Sequence, residues 1–234
     1  MMHMPTVKVK KPRCHLRRRR LSWLTLDLQF IERLFKQRDA NLLGRESMKL
    51  SAVLLPLIER DDELHVLFEV RAKSMRSQPG EICFPGGGIE EQDDNEAETA
   101  LRETCEELGL ERDQVELIAP LDHLVSPFHV VIYPFVGVIR NPKAMAPNEA
   151  EVDEVFTVPV KHLLEQEPEL HYVHLNVRPD DSFPFQWIPR GKDYNWRIAK
   201  MPEYFYFYED YIIWGLTARI LTHFLDQIRK NRGN

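Results

Sequence analysis

The spacing of apolar residues changes period several times along this chain, and each change predicts an element. In LDLQFIERLFKQRD (26–39) the apolar positions Leu28, Ile31, Leu34 and Phe35 recur every three or four residues, the period of an amphipathic helix. SAVLLPLI (51–58) and LHVLFEVR (64–71) are short runs of apolar and β-branched residues, and the Asp61–Asp62 pair between them suits a hairpin turn. Similar runs predict strands at 114–121, 130–140 and 154–160. Pro134 lies inside VVIYPFVGVIR (130–140) and has no N–H to give a ladder, which predicts an edge position or a bulge. His171 and His174 in HYVH read as solvent-facing strand residues, with no partner at zinc-ligand spacing. From 176 to 203 no period survives, and Pro179, Pro184, Pro189, Gly191 and Pro202 predict one long irregular segment. The chain closes on a helix whose stripe is Ile213, Leu216, Ile220, Leu221, Phe224 and Ile228. Strands interleaved with two or three helices predict an α/β or α+β fold, with a mixed sheet covered by helices.

GEICFPGGGIEEQDDNEAETALRETCEELGL (80–110) breaks this pattern. Five of the chain's ten glycines lie here, and Gly86, Gly87 and Gly88 in succession let a ligand approach the main chain closely. Asp93, Asp94 and Asn95 are natural N-caps, and Asn95 with Glu98 matches a capping box. A helix is therefore predicted to about Leu108, ended by Gly109 with Leu110 as the apolar contact beyond it. Ala97, Leu101, Thr104, Cys105 and Leu108 form its buried stripe. Glu103, Glu106 and Glu107 then gather on the opposite side, with Glu96 one or two turns earlier. Like charges at this spacing cost an exposed helix only about 0.2–0.5 kcal/mol per pair, so a solvated acidic face is tolerable. The preceding glycine loop changes the picture. A turn that reaches a phosphate, set beside hard carboxylate oxygens, suits Mg²⁺ or Mn²⁺ bridging to a polyphosphate.

Composition narrows the classes. With 234 residues, 43% of them apolar, the chain can bury a core of its own. A formal net charge of −6 argues against a general nucleic-acid binder. Three cysteines without a CxxC pair read as reduced thiols in a cytoplasmic protein, and no apolar run is long enough for a membrane span. The first 26 residues hold no acid but contain Lys8, Lys10, Lys11, Arg13 and Arg17 to Arg20. A transit peptide, a nucleic-acid arm and a disordered tail share that composition; we take 1–24 as a basic, disordered tail and 25–234 as a single domain.

Gly88, Asp94 and then RETCEELGL (102–110) resemble the Nudix box, G-x5-E-x7-R-E-U-x-E-E-x-G-U with U an aliphatic residue. Asp94 stands at the glutamate position and Thr104 at an aliphatic one. Upstream, LFEVRAKSMRSQPGEICFPGG (67–87) is similar to the signature of coenzyme A-type Nudix hydrolases, through Leu67, Arg71, Arg76, Gly80, Phe84, Pro85, Gly86 and Gly87. Gln78 replaces a histidine frequent there. The resemblance extends through NEAEVDEVFTVPV (148–160) and IWGLTARIL (213–221).

The resemblance implies an α/β/α sandwich and a metal-dependent diphosphatase. Glu103, Glu106 and Glu107 would ligate Mg²⁺ or Mn²⁺, with Glu103 and Glu106 also catalytic and Arg102 orienting a glutamate. Arg71, Arg76, Gly86 and Gly87 would bind substrate, the arginines as guanidinium forks on phosphate. Glu151 and Glu154 lie where the family often adds a ligand or base, although surface acids are as common there. The implied substrate is a nucleoside diphosphate derivative, coenzyme A or acyl-CoA, cut to 3′,5′-ADP and (acyl-)4′-phosphopantetheine. ADP-ribose or a dinucleotide is the alternative substrate, and a non-catalytic binding module the alternative class. A homodimer is left open. The intact glutamates favour an enzyme.

Overall fold

The computed structural model describes residues 27–232, so the basic tail, Cys14 and the 24/25 boundary lie outside the described residues. The chain divides into two compact units, one ending at Arg45 and one beginning at Glu46. In the first, helix α1 (Leu28–Phe35) is capped by Asp27, whose carboxylate accepts from the Phe30 N–H at 2.8 Å. The predicted stripe is present, but none of its residues is buried.

The second unit is built on strands β1 (Lys49–Arg60), β2 (Glu63–Arg71), β3 (Ile82–Cys83), β4 (Gly86–Gly88), β5 (Val115–Pro120), β6 (Leu124–Ser126), β7 (Val130–Ile139) and β8 (Val152–Pro159). They form one mixed sheet in the order β3-β2-β1-β7-β5, with β4 on β1, β6 on β7 and β8 on β2. The β1–β7 pair is parallel and the others are antiparallel. Asp61 and Asp62, both at positive φ, make the β1–β2 hairpin turn. Alternation along β1 and β2 divides the core. Ala52, Leu54, Ile58 and Leu67 face helix α2 (Glu96–Leu108), where Ala100, Leu101 and Leu108 complete one cluster. Leu55, Leu57, Val66 and Phe68 face the other way, toward α3 (Val160–Glu165) and α4 (Gly215–Arg232). The result is an α/β/α sandwich. Each fully buried Leu or Phe contributes about 1.5–3 kcal/mol, so the two clusters clamp the sheet between helices.

Pro134 corrects one expectation. It sits in β7, which is central, pairing with β1 through Val53. Its carbonyl accepts from the Leu121 N–H at 2.8 Å, so its nitrogen turns to the same side. There β5 has ended at Pro120 and β6 begins only at Leu124, so no ladder needs the missing N–H. The register shift is on the partner, between Leu117 and Ala119.

A second sheet, β11-β10-β9, joins β9 (Glu169–Leu175), β10 (Ala199–Tyr208) and β11 (Tyr211–Ile213). His171 and His174 are exposed on β9 as expected. The irregular segment is shorter than expected, because β10 begins at Ala199 and contains Pro202. At that point β10 has a ladder partner on one side only, an edge position that tolerates proline. Ile213 belongs to β11 rather than to α4. No helix among the described residues is long and apolar enough to cross a membrane.

Candidate active site

Helix α2 begins where Asn95 accepts from the Ala97 and Glu98 N–H groups, at 2.9 and 3.1 Å. The Glu98 carboxylate lies 3.5 Å from Arg112. At the other end Gly109 is left-handed, and the Gly109 and Leu110 N–H groups both donate to Cys105 O. Thr104, fully buried, donates its hydroxyl to Ala100 O at 2.6 Å, which satisfies a polar group at an aliphatic position.

The three glutamates do not share one solvated face. The Glu106 side chain is 58% exposed, Glu103 is half-buried, and Glu107 is only 3% exposed. Glu107 lies one turn from Thr104 and two from Ala100, on the flank of the buried stripe, where β4 covers it. Its carboxylate accepts from the Gly86 N–H at 2.8 Å. Gly86 has φ +153°, and a Cβ there would strike the Ala52 carbonyl. At Gly87 a Cβ would collide with the Glu103 carboxylate itself. The glycines therefore bring main chain and carboxylates into contact, which no larger residue allows.

Arg102 ties this end together. Its guanidinium donates to both oxygens of Asp93, at 2.9 and 3.1 Å. It also meets Glu103 at 3.0 Å, Glu106 at 3.2 Å and the Gly88 carbonyl at 3.4 Å. Asp93 further accepts from the Thr99 hydroxyl and the Glu90 N–H. The Arg102 hydrogen bonds, with those from Glu90 and Thr99, hold the Asp93 carboxyl well below the usual carboxylate range. Motif spacing pointed to Asp94, but Asp94 is exposed and Asp93 faces the arginine.

One further acid joins from β2. Glu69 is 1% exposed; it accepts from the Cys83 thiol at 3.1 Å, and its Oε2 has no hydrogen-bond partner. Burial pushes the carboxyls of Glu69 and Glu107 up; the charge of Glu69 raises Glu107 further, and those of Glu151 and Glu103 raise both. Burial also raises Glu103, against the pull of Arg102. Glu151 adds negative charge to this group, whereas Glu154 turns away to accept from the Tyr211 hydroxyl at 2.5 Å. Glu69 was missed in the motif, although an acid inside the apolar run VLFEV had to be buried with its strand.

Among the described residues, no three acidic, thiol or imidazole side chains converge on a single point. Glu103 and Glu106 lie against Arg102, and Glu107 against Gly86. The donor set nevertheless fits a hard divalent cation: carboxylate oxygens on successive turns of α2, a glycine cradle open to Glu103, and an unpartnered oxygen on Glu69.

Beside this acidic end lies a cavity of about 340 Å³. Arg71, Gln78, Glu81, Cys83, Gly86 and Glu203 line it together with apolar side chains that include Phe84 and Trp214. Arg71, Gly86 and Gly87 are thus brought beside the glutamates, while Arg76 stands exposed on the β2–β3 loop, off the cavity wall. Gln78 is held by its amide donating to Glu81 at 2.9 Å.

An α/β/α sandwich with an acidic helix set against a glycine loop, and a cavity alongside, defines the class. Residues 48–180 match the NUDIX domain, and the chain belongs to that family. It is 34% identical over 180 residues to Nudix hydrolase 22, chloroplastic, of Arabidopsis thaliana, covering 74% of this chain and 53% of that protein. It is 39% identical over 121 residues to the peroxisomal coenzyme A diphosphatase NUDT7 of Mus musculus, covering 52% and 50%. Against an uncharacterized Nudix hydrolase NudL of Enterobacter sp. (strain 638) it is 30% identical over 207 residues, covering 88% and 95%. The chain spans about half the length of the Arabidopsis and mouse relatives.

Proposed function

We propose that this protein is a divalent-metal-dependent diphosphatase that cuts coenzyme A or acyl-CoA to 3′,5′-ADP and (acyl-)4′-phosphopantetheine. The observation that carries this reading is the Glu103 carboxylate packed on Gly87, one step from a cavity bordered by Gly86 and Arg71. Glu103, Glu106 and Glu107 would hold Mg²⁺ or Mn²⁺, which when bound supplies Lewis-acid stabilisation of diphosphate charge and acidifies water. The remaining work falls to the chain. Arg102 fixes Glu103, Glu106 and the Gly88 carbonyl relative to one another, which preorganises the acidic end. Arg71 offers a planar fork to phosphate oxygens on the cavity wall, and Arg76 supplies positive charge from the neighbouring loop. Water attacks phosphorus and the bridging P–O bond breaks. The proton released from water passes to a carboxylate, for which half-buried Glu103, set against Gly87, is placed.

The name of the mouse relative favours coenzyme A over ADP-ribose or a dinucleotide. The test is a panel of coenzyme A, dephospho-CoA, ADP-ribose and a dinucleotide with Mg²⁺ or Mn²⁺, products identified by mass. Coenzyme A should be cut with the highest kcat/KM and yield 3′,5′-ADP. Equal use of ADP-ribose would favour the broader nucleoside diphosphate reading, and no turnover of any member would favour a binding module.

A further inference from the structure

We propose that Glu203 selects the substrate by accepting an N–H from the uncharged group beyond the diphosphate, an inference that rests on the diphosphatase reading above. Glu203 lies on β10, only 8% exposed, and its Oε2 has no hydrogen-bond partner among the described residues. Of the other enclosed acids, Glu69 also has one unpartnered oxygen, its Oε2, but each of the three takes at least one donor from the chain. Glu107 takes the Gly86 N–H, Glu69 takes the Cys83 thiol, and Asp93 takes donors from three residues. Burying a carboxylate without a donor is costly, and the cost is offset when a bound molecule brings the donor.

Glu203 also lines the cavity whose wall includes Arg71 and Gly86, so one space joins it to the acidic site. The lining is mostly apolar, with Ile82, Phe84, Met201 and Trp214, and Gln78, Glu81 and Thr217 add polar groups. The chemistry of the occupant follows. A second phosphate is excluded, because an anion cannot lie on an unpaired carboxylate. A bare sugar is disfavoured, because its several hydroxyls would face a lining in which apolar side chains predominate. A largely apolar group with an N–H donor fits. In coenzyme A two groups have that character, the amides of the pantetheine arm and the amino group of adenine.

Isothermal titration of the full chain tests this with three probes: 4′-phosphopantetheine, 3′,5′-ADP and ribose 5-phosphate, a phosphate without an N–H. Wild type should bind one of the first two, and Glu203→Ala should weaken that probe at least tenfold. Ribose 5-phosphate should change less than twofold. Glu203→Gln, which keeps a carbonyl acceptor, should fall between, and the probe that weakens identifies the donor as pantetheine or adenine. With coenzyme A as substrate the same variants should raise KM and leave kcat within about twofold. Unchanged affinity for both N–H probes, no binding of either by wild type, or equal weakening of all three would overturn the assignment. If Glu203→Ala does not fold, Glu203→Gln decides: affinity and KM equal to wild type would overturn it. Hydrolysis is scored apart. A wild type that binds a probe but cuts no diphosphate defeats the diphosphatase reading, while the titrations still decide Glu203.

Discussion

Two buried glutamates, Glu107 on α2 and Glu203 on β10, are hidden to similar depth, at 3% and 8% exposure, yet the protein treats them differently. Around Glu107 the fold supplies a backbone N–H, neighbouring acids, and an arginine one turn away that gathers Asp93, Glu103 and Glu106. Around Glu203 it supplies a mostly apolar cavity and leaves one oxygen without a partner among the described residues. The difference teaches where each charge is used. On the proposed reading, Glu107, held by the chain's own donor, is positioned for chemistry, and Glu203 is left for recognition.

The sharpest way to break this comparison is to neutralise the positioned acid. Glu107→Gln can still accept from the Gly86 N–H, so the fold should survive. Hydrolysis should nonetheless fall by about 10²–10³ or more, as when transition-state charge stabilisation is removed. Wild-type kcat at limiting Mg²⁺, with an unchanged circular dichroism spectrum, would show that Glu107 is structural only.

A smaller effect separates two adjacent aspartates. Asp93→Asn removes a paired charge from Arg102 and should cost about 1–3 kcal/mol. At about 2–4 °C per kcal/mol for a domain of this size, the melting temperature should drop visibly. Asp94→Asn, on the exposed neighbour, should stay within about 0.5 kcal/mol. Equal effects would mean that the carboxylate partner of Arg102 is not fixed as the structure places it.

The smallest effect expected is on pH dependence without metal. The folded-state carboxyls of Glu69 and Glu107 sit above their ordinary value of 4.5, with burial the first cause. The folded protein therefore binds protons that the unfolded chain has released. The stability that these two groups contribute is full below about pH 4.5 and is lost as pH rises through their folded-state values. With chelator present, the melting temperature should fall by a few degrees between about pH 5 and 8, on the order of 1–2 kcal/mol. Glu69→Gln should flatten that slope. A slope that is unchanged in the variant would remove Glu69 from the coupled group.

Much of the site was legible without the fold. The glycine run, the Asn95 cap, the Gly109 stop and the RETCEELG box are local patterns, and each is found where spacing put it. The hairpin at Asp61–Asp62 and the strands around it are equally local. What spacing missed shares one property. Whether Glu107 lies on an open face depends on β4 crossing over it, and whether Asp93 or Asp94 reaches Arg102 depends on how the loop before α2 turns. Pro134 pointed to an edge or a bulge because a proline reveals its missing donor but not what its strand lies beside.

The sequence by itself determined the family and the elements around its motif, because helix caps, turn glycines and alternating strands are set by neighbours a few residues apart. Only the tertiary structure decided which acids meet. Glu69 from β2 comes beside Glu107 of α2, and Glu203 of β10 comes to the wall that Arg71 and Gly86 also line. These encounters span from tens of residues to more than a hundred. They are fixed by strand pairing and by which face of the sheet each helix covers, and no local period records either.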